Sequence, residues 1–154
     1  MTWSGPCAVA RWPRPEHVER PDHGGEGPGD PGPEPESAYE LLQRGTALLA
    51  GRHAAQAAVV LARAAAIEPR KGSILEPLGR AFFISSQLER AVETFEALLD
   101  VDPLNAYGHY ALGRSLIRLG RRSEAGTHLR IAVALAPDSR LFRGGLARLG
   151  PGEG

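Results

Sequence analysis

The amino-acid sequence predicts an all-α fold built from tandem helical hairpins. Three observations predict it: apolar side chains recur at helical spacing after residue 36, a proline follows a helix three times, and the chain aligns with itself at a 34-residue offset. The prolines are Pro69, Pro103 and Pro137. Because a proline ring clashes with the preceding helical turn, each one marks the end of a unit. The units span 38–71, 72–105 and 106–139.

Each unit is predicted to contain two helices. The first helix begins after Ser37, which lies three residues before Glu40 and therefore has the spacing of a capping box. The breaks between paired helices fall at "AGRH", "SSQ" and "LGRR" in successive units. In the second break, Ser86 and Glu89 again have capping-box spacing. In the third break, Gly120 can take the left-handed conformation that ends a helix.

Three positions recur in register within every unit. Glycine occupies position 8, alanine position 20, and leucine or phenylalanine position 24. They are Gly45, Ala57 and Leu61; Gly79, Ala91 and Phe95; and Gly113, Ala125 and Leu129. We expect the glycine and the alanine to let paired backbones approach, so that a larger side chain would overpack the contact by roughly 1–3 kcal/mol.

A further helix is predicted after the third unit, at about residues 139–149. The apolar residues at helical spacing there are Leu141, Phe142, Leu146 and Leu149. Asp138 is the expected N-cap. This helix is expected to cover the apolar end of the stack, so the folded domain spans 37–149 and residues 150–154 are disordered.

The 34-residue unit resembles the tetratricopeptide repeat, whose pattern is W-x2-L-G-x2-Y…A-x3-F…P. The matching positions are Leu41, Arg44, Gly45, Leu48, Ala57, Leu61 and Pro69; Leu75, Leu78, Gly79, Phe82, Ala91, Phe95 and Pro103; and His109, Leu112, Gly113, Leu116, Ala125, Leu129 and Pro137. The match covers about two thirds of the chain. The resemblance implies a right-handed α-solenoid of three helix-turn-helix repeats with a concave and a convex face.

Three residues depart from this pattern. Arg44 occupies an apolar position, which indicates that the first unit is an exposed end. Pro77 lies inside the first turn of the first helix of the second unit, so we expect that helix to begin around Glu76 or to start irregularly. His109 takes the tryptophan position and is interpreted as a partly buried core histidine.

An acidic tail, residues 1–36, precedes the repeats. It holds 8 of the 13 prolines and 6 of the 19 glycines, with 3 Arg against 7 Asp or Glu. Because little apolar surface is available to offset the entropy cost of ordering, we predict that the tail is disordered. Its Trp3 and Trp12 are either anchors of a short linear motif or parts of a segment without a role.

The sequence predicts neither an enzyme nor a cofactor or metal site. The five histidines lack zinc-ligand spacing, and no glycine-rich phosphate-binding loop leads into a helix. The single cysteine, Cys7, lacks a positioned base and excludes an intrachain disulfide. No apolar run is long enough for a signal peptide or a bilayer span, so we expect a cytoplasmic protein without a membrane partner.

The resemblance also implies where a partner would bind. In tetratricopeptide proteins, positions 2, 5, 9 and 12 of the first helix in each repeat line the concave groove. These are Tyr39, Leu42, Thr46 and Leu49; Ser73, Glu76, Arg80 and Phe83; and Tyr107, Tyr110, Arg114 and Ile117. Aromatic residues and arginine are frequent interface anchors. We therefore expect a protein-interaction or adaptor module that binds a peptide or an amphipathic helix, with Arg80 and Arg114 available to an acidic group.

Alternatives remain open at this point. Eight arginines between Arg114 and Arg148 could bind RNA or an acidic partner. Lysine is scarce throughout the chain, which favours arginine as its ordinary solubilising cation and argues against nucleic acid. The family's carboxylate clamp of Lys and Asn is absent, since its first-unit positions are Leu42 and Thr46. Self-association through an incompletely capped end is a third alternative.

Overall fold

The structure is a computed structural model that describes residue 29 and residues 31–151. Within these residues the chain forms seven α-helices and no strand. They are α1 (Ala38–Ala50), α2 (Ala54–Ile67), α3 (Gly72–Ile84), α4 (Leu88–Val101), α5 (Ala106–Arg118), α6 (Arg122–Leu135) and α7 (Arg140–Leu149). The predicted all-α fold is confirmed. The predictions for most of the tail and for the last three residues lie outside the described residues.

The helices α1 to α6 form three successive pairs. The first helices of the pairs begin 34 residues apart, at Ala38, Gly72 and Ala106. Contacts of α2 with α3 and of α4 with α5 join the pairs, and α3 also contacts both α1 and α5. The first helices of the three pairs therefore lie side by side and form one wall of the molecule.

Paired helices cross where the glycine at position 8 faces the side chain at position 24. A Cβ atom placed on Gly79 would lie 2.6 Å from Phe95 Cε1, and one placed on Gly113 would lie 2.8 Å from Leu129 Cγ. The alanine at position 20 is fully buried in all three repeats. The sequence predicts a glycine–alanine contact, whereas the structure shows that the glycine chiefly makes room for the larger side chain.

The capping box predicted at the start of α1 is confirmed. The Ser37 backbone N–H donates to Glu40 Oε2 at 2.8 Å, and the Glu40 N–H donates to Ser37 Oγ at 3.2 Å. The Ser37 backbone N–H and, at 2.9 Å, the Ser37 hydroxyl both donate to Glu40 Oε2, and these two bonds lower the pKa of the Glu40 carboxyl because they favour its ionised form.

The capping box predicted at Ser86 and Glu89 is wrong. The N-cap of α4 is Gln87, and its side chain makes no capping hydrogen bond. Ser86 instead has a left-handed backbone with φ of 63°, as does Arg52 with φ of 65°. Gly120 also has positive φ, at 80°, as predicted. All three residues occupy position 15, so the turn between paired helices requires a left-handed residue in every repeat.

The helix start expected around Glu76 is also wrong. Helix α3 begins at Gly72 and continues through Pro77, which is buried. The Lys71 carbonyl oxygen accepts from the backbone N–H groups of both Ile74 and Leu75, at 2.9 and 3.0 Å. These bonds and the burial of Ile74 at 0% exposure hold the first turn in place, although the proline lacks the donor that would continue the ladder.

Helix α7 packs against α5 and α6. Its N-cap is Ser139 rather than the predicted Asp138, because the Phe142 N–H donates to Ser139 Oγ at 3.3 Å. Phe142 joins Tyr110 and Leu129 in a second apolar cluster at this end of the stack.

The two unusual residues of the repeat pattern differ in their surroundings. Arg44 is exposed and forms an ion pair with Glu36, as expected for an end repeat. His109 is 8% exposed, so its interpretation as a core histidine is confirmed. Its Nε2 lies 2.8 Å from the Pro103 carbonyl oxygen and its Nδ1 lies 3.1 Å from Nδ1 of His128. When both rings are neutral, His109 donates to the carbonyl and accepts from His128.

Candidate functional site

A cavity of about 240 Å³ lies among α3, α4 and α5. Its lining residues are Arg80, Phe83, Ile84, Phe95, Tyr107, Tyr110, Ala111 and Arg114. Five of these eight residues occupy groove positions predicted from the sequence, and they come from both α3 and α5. The cavity is therefore built where the wall of first helices passes from the second repeat to the third.

Tyrosine and phenylalanine rings form the cavity walls. The Tyr107 and Tyr110 ring centroids are 6.2 Å apart, and Tyr110 also packs against Phe142 of α7 at 5.1 Å. Tyr110 is only 5% exposed, because α7 covers it from behind. Burial raises the pKa of the Tyr107 hydroxyl, an effect that Arg80 opposes and Glu76 reinforces. The Tyr107 hydroxyl therefore stays protonated at neutral pH, and both rings contribute largely apolar surface to the cavity.

Two arginines of α5 lie against the Phe83 ring. The guanidinium carbons of Arg114 and Arg118 are 5.5 and 5.0 Å from its centroid. Arg114 Nη1 donates to the Tyr110 hydroxyl at 2.8 Å. Arg118 reaches across to α3 and donates to the Phe83 carbonyl at 2.9 Å and to Ser86 Oγ at 3.0 Å. These contacts fix positive charge beside an aromatic surface.

The remaining predicted groove residues do not line the cavity. In the first repeat Tyr39 is 63% exposed, Leu42 and Leu49 pack against the core, and the Thr46 hydroxyl donates to carbonyls of its own helix. In the second repeat, Ser73 is exposed and Glu76 is half-buried. In the third repeat, Ile117 packs against both apolar clusters.

Four contributors to this region were not among the predicted groove residues. Ile84, Phe95 and Ala111 line the cavity, and Arg118 lies at its border. Phe95 carries a detectable signal, since it is a phenylalanine where the other repeats have leucine. The other three occupy positions outside the groove pattern, so only the packing of α3 against α5 reveals them.

The arginines between Arg114 and Arg148 have diverse surroundings. Arg114 and Arg118 belong to the cavity region. Arg121 forms two hydrogen bonds with the carboxylate of Glu124, at 2.8 and 2.6 Å, and Arg122 donates to the Leu149 carbonyl at 2.5 Å. Part of the basic region predicted from the sequence therefore serves contacts within the fold.

The part of the chain that the structure describes carries neither a cluster of metal-ligating residues nor a membrane-spanning helix. There, no three His, Cys, Asp or Glu residues are grouped so that they could hold a metal ion. Among the described helices, none is long and apolar enough to cross a membrane.

A family model described as Tetratricopeptide repeat matches residues 76–140. No curated protein matches the sequence. The fold is similar to the Sgt2 TPR domain from Aspergillus fumigatus, with a TM-score of 0.68 and 23% identity over 81% of this chain and 82% of that chain.

Two of the similar structures are of proteins described with a peptide or a peptide-binding site. The first TPR of Spaghetti (RPAP3), bound to the HSP90 peptide SRMEEVD, has a TM-score of 0.70 and 13% identity, covering 73% of this chain and 90% of that chain. YrrB, a TPR protein with an unusual peptide-binding site, has a TM-score of 0.69 and 23% identity, covering 71% of this chain and 57% of that chain. Residues 76–140 therefore belong to the tetratricopeptide repeat family, and the helices of the described chain adopt that family's fold.

Proposed function

We propose that this protein is a non-catalytic interaction module that binds a peptide or an amphipathic helix in its concave groove. The observation that carries the proposal is the cavity between α3 and α5, lined by aromatic side chains at groove positions of adjacent repeats. A partner side chain that enters it would lose water-exposed apolar surface, which is the usual source of affinity at an interface anchor.

The relatives support this choice of function. One similar structure holds an HSP90 peptide, and another is described by its peptide-binding site. The lining of the cavity also favours binding over catalysis, because it consists of aromatic, aliphatic and guanidinium groups and includes no serine, cysteine, histidine or carboxylate. The cytoplasmic location expected from the sequence stays a prediction.

Selection of random peptides displayed on phage against the full chain tests the proposal without assuming the partner's charge. Enriched peptides would be labelled and titrated by fluorescence anisotropy. We expect Phe83→Ala to weaken their binding by at least about tenfold, because it removes one wall of the cavity. Val59→Ala is the matched control, since Val59 is 65% exposed on α2 and lies outside the groove.

The location of binding would be read from amide chemical shifts, with circular dichroism used to verify that each variant is folded. We expect the largest shifts in α3 and α5. Selection of no peptide, equal affinity for Phe83→Ala and Val59→Ala, or shifts confined to α2, α4 and α6 would contradict the proposed function.

A further inference from the structure

The size of the cavity fits one bulky side chain. Its volume of about 240 Å³ lies below the range of about 300–1,000 Å³ typical of small-molecule sites. Two of its lining residues, Phe95 and Ala111, are 1% and 7% exposed, so the space extends to the core. Around it stand the rings of Phe83, Tyr107 and Tyr110. An aromatic or large aliphatic side chain suits this apolar surface.

Three arginines border the cavity without a carboxylate partner among the described residues. Arg80 and Arg114 line it, and the Arg118 guanidinium carbon lies 5.0 Å from the centroid of the Phe83 ring. The ion pairs that the described residues form involve other cations, namely Arg44, Arg63, Lys71 and Arg121. Glu76, whose charge also acts on Tyr107, offsets part of this positive charge without forming an ion pair with any of the three arginines. The remaining positive charge is available to a ligand.

Two of these guanidinium groups are already oriented by the protein. Arg114 is held by the Tyr110 hydroxyl, and Arg118 by the Phe83 carbonyl and Ser86 Oγ. A guanidinium carries five N–H donors, so both arginines keep donors for a further acceptor. Because the groups are preorganised, a carboxylate that meets them gains charge-assisted hydrogen bonds at a reduced cost in side-chain entropy.

Two arginines of the first repeat, Arg44 and Arg63, show a contrasting arrangement. Arg44 and Arg63 both pair with Glu36, which lies just before α1. Arg121 at the start of α6 is likewise paired with Glu124. Other arginines of the described chain, such as Arg70 and Arg140, also form no ion pair, but Arg80, Arg114 and Arg118 are the ones beside the apolar cavity. Their charge and the shape of the cavity together indicate the chemistry of a partner.

We propose that the cavity binds an acidic peptide in which Asp or Glu residues flank one bulky apolar side chain. The apolar side chain fills the space between α3 and α5, and the flanking carboxylates meet Arg80, Arg114 and Arg118. This inference rests on the proposed function and specifies the sequence class that the groove selects.

The test uses the full chain and short fluorescent peptides in which glutamates flank one central phenylalanine. One matched peptide has alanine in place of the phenylalanine, and another has glutamine in place of every glutamate. We expect each matched peptide to bind at least about tenfold more weakly than the parent peptide, since each lacks one of the two recognised features. Fluorescence anisotropy measures all three affinities.

Variants of the protein assign each preference to its side chain. Arg114→Gln should reduce the preference for glutamate over glutamine, and Phe83→Ala should reduce the preference for phenylalanine over alanine. Arg143→Gln, which removes an exposed arginine of α7, should leave both preferences unchanged. A glutamine peptide that binds as tightly as the glutamate peptide overturns the inference. Phage-selected peptides that still depend on Phe83 would then leave the proposed function standing.

Other occupants are outcomes of the same test. Oligouridine that binds more tightly than the glutamate peptide and is weakened by Arg114→Gln would overturn the inference in favour of RNA. A synthetic copy of residues 1–36 that binds more tightly than the glutamate peptide would identify the chain's own tail as the occupant and also overturn it. Sedimentation showing a dimer that Phe83→Ala dissociates would do the same in favour of a second copy.

Discussion

The first and third repeats have helices of equal length but present different surfaces to a partner. Helices α1 and α5 each contain 13 residues, and α2 and α6 each contain 14. At position 9, however, the Thr46 hydroxyl bonds to its own helix, whereas Arg114 extends to the Tyr110 hydroxyl and lies near the Phe83 ring. The cavity lies between the second and third repeats, and the first repeat contributes none of its lining residues.

The repeat positions are of two kinds, those that are equivalent in the first and third repeats and those that differ. Positions 8, 20 and 24 carry equivalent residues in both repeats, because backbone approach depends on them. Positions 5 and 9 differ, because Leu42 and Thr46 of the first repeat correspond to Tyr110 and Arg114 of the third. The shared positions determine the helix arrangement, and the variable ones include the residues to which we assign the proposed binding.

The largest expected effect concerns position 8, where the two repeats should respond alike. Gly45→Leu and Gly113→Leu should each destabilise the protein by about 1–3 kcal/mol, because the new side chain overlaps Leu61 in one repeat and Leu129 in the other. Chemical denaturation followed by circular dichroism measures the loss in unfolding free energy.

Gly144 in α7 provides the control for this pair. A Cβ atom there would meet no other atom within 4 Å, so Gly144→Ala should increase stability by about 0.5–1 kcal/mol through reduced backbone entropy of the unfolded chain. Unchanged unfolding free energy in Gly113→Leu would show that the helix crossing is not where the structure places it.

A smaller effect is expected at position 15, where the two repeats differ in residue but share a left-handed backbone. Gly120→Ala should cost about 1 kcal/mol, because a Cβ atom is disfavoured at φ of 80°. Arg52→Gly should stabilise the first repeat by about 0.5 kcal/mol, since relief of strain exceeds the added entropy of the unfolded chain. Thermal unfolding measures both. Changes of equal sign would contradict a shared turn conformation.

The smallest expected effect is a pH dependence confined to the third repeat. At positions 4 and 23 the first repeat has buried Leu41 and Val60, whereas the third has His109 and His128. Burial lowers the pKa of His128, with His109 adding to the effect and Glu124 opposing it. The unfolded chain therefore binds more protons, so this contribution to stability is present above about pH 6.5 and is lost as the pH falls through the folded pKa.

Introducing the residues of the first repeat at positions 4 and 23 of the third repeat tests whether the histidine pair causes the pH dependence. In the double variant His109→Leu with His128→Val, unfolding free energy should fall less than in the parent protein between about pH 7.5 and about pH 5.5. Carboxylates that titrate elsewhere are common to both proteins and cancel in the difference. An equal decline in both proteins would exclude the pair as the source.

The arrangement of the helices was predictable because its determinants recur along the chain. Gly79 and Phe95 could be recognised from their equivalents in the neighbouring repeats, and Ser37 with Glu40 from a local spacing. Residues whose role depends on non-local packing were missed. Ser86 has capping-box spacing but adopts a left-handed backbone, and its hydroxyl accepts from Arg118 of another repeat.

The candidate site was predictable only in part for the same reason. Repeat position selected Phe83 and Arg114, which line a cavity in the structure, and their role in binding stays a proposal. It also selected Leu42 and Leu49, which pack against the core in the first repeat. The choice between cavity lining and core depends on which side chains oppose each other across adjacent helices, and a linear pattern does not contain that information.

Tyr110 contributes both to the cavity and to the packing of α7. Its ring lines the cavity, packs against Phe142 and closely approaches Gly145. Binding of the proposed peptide in the cavity is then thermodynamically linked to the packing of α7 against α5 and α6. A bound peptide would slow amide hydrogen exchange and proteolytic cleavage in α7, and detachment of α7 would weaken the peptide's binding by the same free energy.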